Sequence, residues 1–176
     1  MSEATWETME TLTGRPFRVR PLREDDTAHL VQIFENMGAD SRYQRFGRPL
    51  PNPSPSYVWR QAETISQTAV QPHNFGLIAF ADDDLPIASA RYVALAEPYT
   101  AEFAISVRDD WQGIGVGRKL LHHLVQAAKT RGMHTMVASI QSDNEAMWAV
   151  ARQLPQAARR RASDDIYNLY VDLTNL

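Results

Sequence analysis

With 176 residues, 19.9 kDa and a formal net charge of −3, the chain has the mass of one domain and lacks the basic excess of a nucleic-acid binder. It contains no Cys, which excludes disulfides, thiolate metal sites and a Cys nucleophile. Residues 1–14 lack the basic start and apolar run of a signal peptide, and no apolar stretch nears the ~20 residues of a membrane span, so a cytoplasmic location is expected.

Residues 1–14 are polar and acidic and read as a flexible N-terminal segment; residues 15–176 read as one domain. Residues 16–22 alternate apolar and basic side chains, as a strand with one exposed face does. The acids Glu24, Asp25 and Asp26 favour a helix start through the helix dipole; this helix carries Leu30, Val31, Ile33, Phe34 and Met37 inward and ends near Gly38. A short helix over 41–46 stops at Gly47. Pro49, Pro51, Pro53 and Pro55 then enforce an extended loop, followed by a helix over about 57–68.

Strands are expected over 75–81, 85–95 and 99–107, joined by short turns at Asp82-Asp83-Asp84 and Glu97-Pro98, which imply an antiparallel meander. Beyond Gly115 the period changes to about 3.6, with Leu120, Leu121, Leu124, Val125 and Ala128 on one helix face up to Gly132. A strand over 134–140 follows. Asn144 then opens a helix that runs to about Gln153 and is halted by Pro155, and strands over 157–161 and 166–173 close the chain. The order defines a mixed α/β fold, antiparallel first, with a strand–helix–strand crossover later.

Chemistry concentrates between Val107 and Arg118. Gly113, Gly115 and Gly117 let backbone amides converge in one concavity without Cβ interference, and a helix N-terminus stands behind them; that combination suits a pyrophosphate. The segment lacks the Lys-Ser/Thr of a P-loop and the spacing of a dinucleotide fingerprint; a purely structural turn is the alternative. On the preceding strand, Phe103, Ile105 and Val107 share one face, and Glu102, Ala104 and Ser106 share the other. An acid followed by two small side chains leaves room for a substrate, although a solvated or cross-strand-paired carboxylate fits the same pattern. His122 and His123 diverge by about 100° on their helix and do not chelate one metal. The Asp82–Asp84 run lacks calcium-loop spacing, and Arg159-Arg160-Arg161 reads as a solvated strand edge.

Gln112-Gly113-Ile114-Gly115-Val116-Gly117 resembles the Gln/Arg-x-x-Gly-x-Gly/Ala signature of the GCN5-related N-acetyltransferases (GNAT), and the similarity extends over most of the chain. The resemblance implies a central, mostly antiparallel, splayed sheet of six to seven strands flanked by helices. It implies acetyl-coenzyme A as cosubstrate, with the pyrophosphate held by Gln112, Gly113, Ile114, Gly115, Val116, Gly117 and Arg118. The free backbone edge of Ile105, Ser106 and Val107 would pair with the pantetheine arm, and Asn144 would approach it, a role that coexists with a plain helix cap.

Residues 101–104 and 41–46 also resemble the catalytic domain of bacterial Pat-type protein lysine acetyltransferases, in which a Glu at the position of Glu102 is the general base. The implied reaction is direct acetyl transfer to an amine, with a protein lysine as acceptor; a small-molecule amine is the alternative acceptor, and a non-catalytic acyl-coenzyme A sensor the alternative function. The family often has Tyr at the position of Ala151 and Leu-Gly-Phe at that of Leu154-Pro155-Gln156, so the proton donor to the departing thiolate is unassigned. Composition and spacing give no reason to expect a metal, nucleic-acid or membrane partner, and the resemblance allows a homodimer.

Overall fold

The computed structural model describes residues 6–154 and 157–174. Eight strands form one sheet among the described residues: β1 (Glu7–Glu10), β2 (Pro16–Pro21), β3 (Phe75–Phe80), β4 (Pro86–Ala94), β5 (Thr100–Val107), β6 (Thr135–Gln141), β7 (Ala157–Arg161) and β8 (Ile166–Asp172). Their spatial order is β1-β2-β3-β4-β5-β6-β8-β7, and every neighbouring pair is antiparallel except β5 with β6. The helices are α1 (Thr27–Glu35), α2 (Ala39–Phe46), α3 (Pro55–Ala69), α4 (Val116–Thr130) and α5 (Glu145–Ala151), with single 3-10 turns at Glu24–Asp26 and Asp109–Trp111.

The expectation of a flexible segment over 1–14 is corrected for residues 7–10, which pair with β2 from Glu7 opposite Val19 to Glu10 opposite Pro16. This strand is the addition to the six or seven expected. Its sequence hides it because three of its four side chains are polar and exposed, and Met9 alone is buried. Residues 1–5 lie outside the described residues, as does Pro155, the expected stop of α5.

The strand alternation divides the core between the two faces of the sheet. Phe17, Val19, Leu77, Ala79, Ala88, Ala90, Tyr92, Ala101 and Phe103 point to one face, where the α4 stripe of Leu120, Leu121, Leu124, Val125 and Ala128 covers them. Fully burying each Leu contributes about 1.5–3 kcal/mol. Ile78 and Phe80 point to the other face, against Leu30, Ile33 and Met37 near α1 and Ala62 and Ala69 of α3.

One helix departs from this scheme. α2 has no fully buried residue; Phe46 meets Phe34 edge-on, and polar contacts hold the helix on both sides of the gap between β5 and β6. Toward the β5 end, Asp109 accepts from Gly38 N (2.8 Å) and Ser41 Oγ (2.7 Å). Toward β6 and α5, Gln44 donates to Asp143 (3.0 Å).

At the chain's first crossover, Arg20 at the end of β2 makes two 2.7 Å hydrogen bonds to Asp26, and both side chains are buried. Asp26 also accepts from Arg23 N and meets His29 Nδ1 at 2.9 Å. Burial pushes the Asp26 carboxyl up, but the hydrogen bonds from Arg20, His29 and Arg23 outweigh it and hold the carboxyl below its ordinary range.

Candidate active site

The site begins where two strands part. β5 and β6 pair only from Thr100–Thr135 to Glu102–Val137; beyond that point β6 stays with β8, and residues 103–107 keep their pairing with β4 alone. Glu102 is therefore the last β5 residue joined to β6, and its side chain is exposed at the apex of the opening. Ala104 and Ser106 follow it on the same face. A backbone edge without a partner strand can accept an extended ligand by strand addition.

The loop after β5 is anchored from below. Trp111 is buried, with the Arg15 guanidinium 3.5 Å from its ring centroid, and Arg108 grips Asp110 at 3.0 and 3.1 Å. Gly113 (φ 73°) and Gly115 (φ 93°) then adopt left-handed conformations that a Cβ disfavours. A Cβ on Gly115 would also stand 2.8 Å from Leu12 Cγ, because the β1–β2 turn packs on the loop and Leu12 N donates to Ile114 O. Among the described residues, none of the six amides from Gly113 to Arg118 donates to a protein acceptor. Unpaired amides in a left-handed turn at the N-terminus of a 15-residue helix form a cradle for a phosphate group. The chain thus fits the diphosphate of coenzyme A.

Loop and splayed strands border one groove of about 1200 Å³. Of the residues expected in the site, Glu102, Ile105, Ser106, Val107, Gln112, Gly113, Gly115, Val116, Gly117, Arg118 and Asn144 all line it. Ile114 does not: its side chain packs against the core, and its carbonyl is the one tied to Leu12. Gln112 turns its amide inward, donating to Val107 O (3.0 Å), Ser41 Oγ (3.0 Å) and Asp109 Oδ1 (3.2 Å), so it braces the loop against α2. Asn144 caps α5 by accepting from Met147 N at 2.9 Å, and Ala151 is buried in the core.

Two residues that the sequence reading passed over also enter the groove. Arg45, from α2, donates its Nε to Ser106 Oγ at 3.1 Å. Arg91, from β4, stands across from Ala104, one residue pair along the face from the Val93–Glu102 pair. Its Nε is buried without a hydrogen-bond partner. Burial, then the neighbouring Arg91, holds the Arg45 guanidinium down to about 10, against the opposing pull of Glu102; burial lowers Arg91 too, again opposed by Glu102. Glu102 is thus the anion that both cations face. Among the described residues no three His, Asp or Glu side chains gather as metal ligands, and no helix is long and apolar enough to cross a membrane.

A splayed β5/β6 pair followed by a glycine-rich cradle and a long helix is the architecture of an acyl-coenzyme A enzyme. The model of the acetyltransferase (GNAT) family matches residues 40–154, and the chain belongs to that family: it is an acetyl-coenzyme A-dependent N-acetyltransferase acting on an amine. Among similar proteins is the acetyltransferase PA5475 of Pseudomonas aeruginosa, 28% identical over 135 residues, which cover 76% of this chain and 71% of that protein. The L-amino acid N-acyltransferase MnaT of Escherichia coli is 36% identical over 84 residues, 43% of this chain; the match spans 45% of MnaT's own length. Among solved structures, the GNAT domain of S. lividans PAT superposes with a TM-score of 0.78 at 29% identity, covering 95% of this chain and 96% of that one.

Proposed function

We propose that the chain transfers an acetyl group directly to an amine bound on the Glu102 face of β5, with Glu102 as the general base. The observation that carries this reading is the position of that carboxylate: exposed, at the point where β5 leaves β6, in the same groove as the unpaired amides of the glycine loop. When bound, acetyl-coenzyme A supplies the acetyl thioester. The amides from Gly113 to Arg118 and the N-terminus of α4 hold its diphosphate, and the free edge of residues 105–107 aligns its pantetheine arm. Asn144 lines the same groove while its Oδ1 caps α5.

An alkylammonium has a pKa of about 10.4, so at neutral pH an acceptor arrives protonated and cannot attack. Glu102 accepts a proton from the amine, a C–N bond forms as the C–S bond breaks, and coenzyme A leaves as the thiol. Ala151 carries no proton to give, so the thiolate takes its proton from water or from the attacking nitrogen, which sheds its second proton once the C–N bond has formed. Acceptor chemistry divides between the protein lysine implied by the Pat-like segments 41–46 and 101–104 and the L-amino acids named for MnaT.

Incubation of the protein with acetyl-coenzyme A and a panel of amines and lysine peptides should release free thiol in proportion to acetylated amine. The same acetyl-coenzyme A, at a hundred times its Kd, should stabilise the fold by about 2.7 kcal/mol. A thermal shift without thiol release from any acceptor would instead identify a non-catalytic acyl-coenzyme A sensor.

A further inference from the structure

Acetyl transfer to an unspecified amine leaves one feature of the groove without a use. Arg45 and Arg91 approach the face of Glu102, Ala104 and Ser106 from two different elements, α2 and β4. Neither forms an ion pair among the described residues. Two desolvated cations thus share one carboxylate, which leaves an excess positive charge that burial makes costly. Ala104, opposite Arg91, is too small to cover it, and Arg91 Nε points to no protein acceptor. Burial lowers both guanidiniums, and for Arg45 the neighbouring Arg91 adds to it.

We propose that Arg45 and Arg91 form an anion subsite that takes the carboxylate of a small amino acid and so presents its amine to Glu102. The proposal rests on the reading of that face as the acceptor side. A guanidinium fork matches a carboxylate in shape and donor spacing. Glu102 and Ala104 lie about 7 Å apart along the strand, a span within which a free amino acid carries both its amine and its carboxylate. The same positive excess disfavours a polyamine or a lysine in a basic segment.

The test uses the full chain with acetyl-coenzyme A and follows thiol release with free L-amino acids, their carboxamides, and lysine peptides with and without a flanking Asp. The best amino acid should exceed its own carboxamide in kcat/KM by at least about 30-fold, the worth of a hydrogen-bonded charge. Arg91→Met should bring that ratio toward one, mainly through the KM of the acid, and Arg91→Lys should keep part of it. Equal use of acid and carboxamide overturns the proposal, as does preference for either lysine peptide or thiol release from no free amino acid. A parallel loss of acetyl-coenzyme A affinity in Arg91→Met also overturns it, by assigning the guanidinium to the cosubstrate. Failure of the general-base reading looks different: Glu102→Gln would keep full rate while the acid-to-carboxamide ratio stayed intact.

Discussion

Glu102→Gln should lower kcat for acetyl transfer by about 10²–10⁴-fold at neutral pH, the range general-base catalysis supplies, with acetyl-coenzyme A affinity close to that of the unaltered protein. The substitution is nearly isosteric and falls on an exposed side chain that makes no hydrogen bond or ion pair among the described residues, so the fold has little reason to change. What disappears is the proton acceptor beside the incoming ammonium. The defect should therefore shrink as pH rises toward the amine's own pKa, near 10.4 for an alkylamine, because solvent then does the deprotonation. Kinetics across pH separate this from a counter-ion role. If Glu102 served only to neutralise Arg45 and Arg91, the loss would fall below about tenfold and would not diminish at high pH.

The largest effect on stability is expected far from the chemistry, at Asp26. Asp26→Asn leaves the Arg20 guanidinium buried without its anion, which costs about 3–5 kcal/mol. At about 2–4 °C of Tm per kcal/mol for a chain of this size, differential scanning calorimetry should record a fall of roughly 6–20 °C. Arg20→Met should be comparably damaging, since it strands the carboxylate instead. Replacing both, Arg20→Met with Asp26→Leu, should recover much of the loss, because removing a buried pair together spares the desolvation that removing either partner alone does not. The pH dependence follows from the depressed carboxyl of Asp26. Its contribution is fully present above the unfolded value near 3.9 and is lost as pH falls through the lower folded value. The gap between the unaltered protein and Asp26→Asn should therefore be constant near neutrality and narrow below about pH 4. A loss under 1 kcal/mol at pH 7 would contradict this account of the pair.

Much of the architecture could be read from periodicity. The meander of β3, β4 and β5, the apolar stripe of α4 and β8 all stand within a residue or two of where alternation and turn residues put them, because each carries buried apolar side chains; β7 stands there too, though exposed throughout. β1 could not be read. Apart from the buried Met9, Glu7–Glu10 is polar and exposed, and it becomes a strand because β2 offers an edge to pair with. α2 was legible as a helix but not as a bridge over the β5/β6 gap, since the contacts that span the gap are side-chain hydrogen bonds to Asp109, Ser106 and Asp143, residues about 60–100 positions further along the chain.

The site divides in the same way. The glycine loop and the face of Glu102 follow from local pattern, whereas Arg91 needs the register of the β4–β5 hairpin to be placed opposite Ala104. Arg45 was within view in the 41–46 segment, but its task depends on how α2 docks. Gln112 carries a motif position yet spends its amide on Val107, Ser41 and Asp109, a role visible only once the strand end and α2 meet.

The central claim is that the chain holds the diphosphate of its cosubstrate on unpaired amides and lays the rest of it along the open edge of β5. Titration of the isotope-labelled protein with acetyl-coenzyme A, read by amide NMR, tests this most directly. The largest shifts should fall on the amides of residues 113–118, with a second group at residues 105–107. Shifts confined to other surfaces, with those amides unmoved at saturating acetyl-coenzyme A, would contradict it.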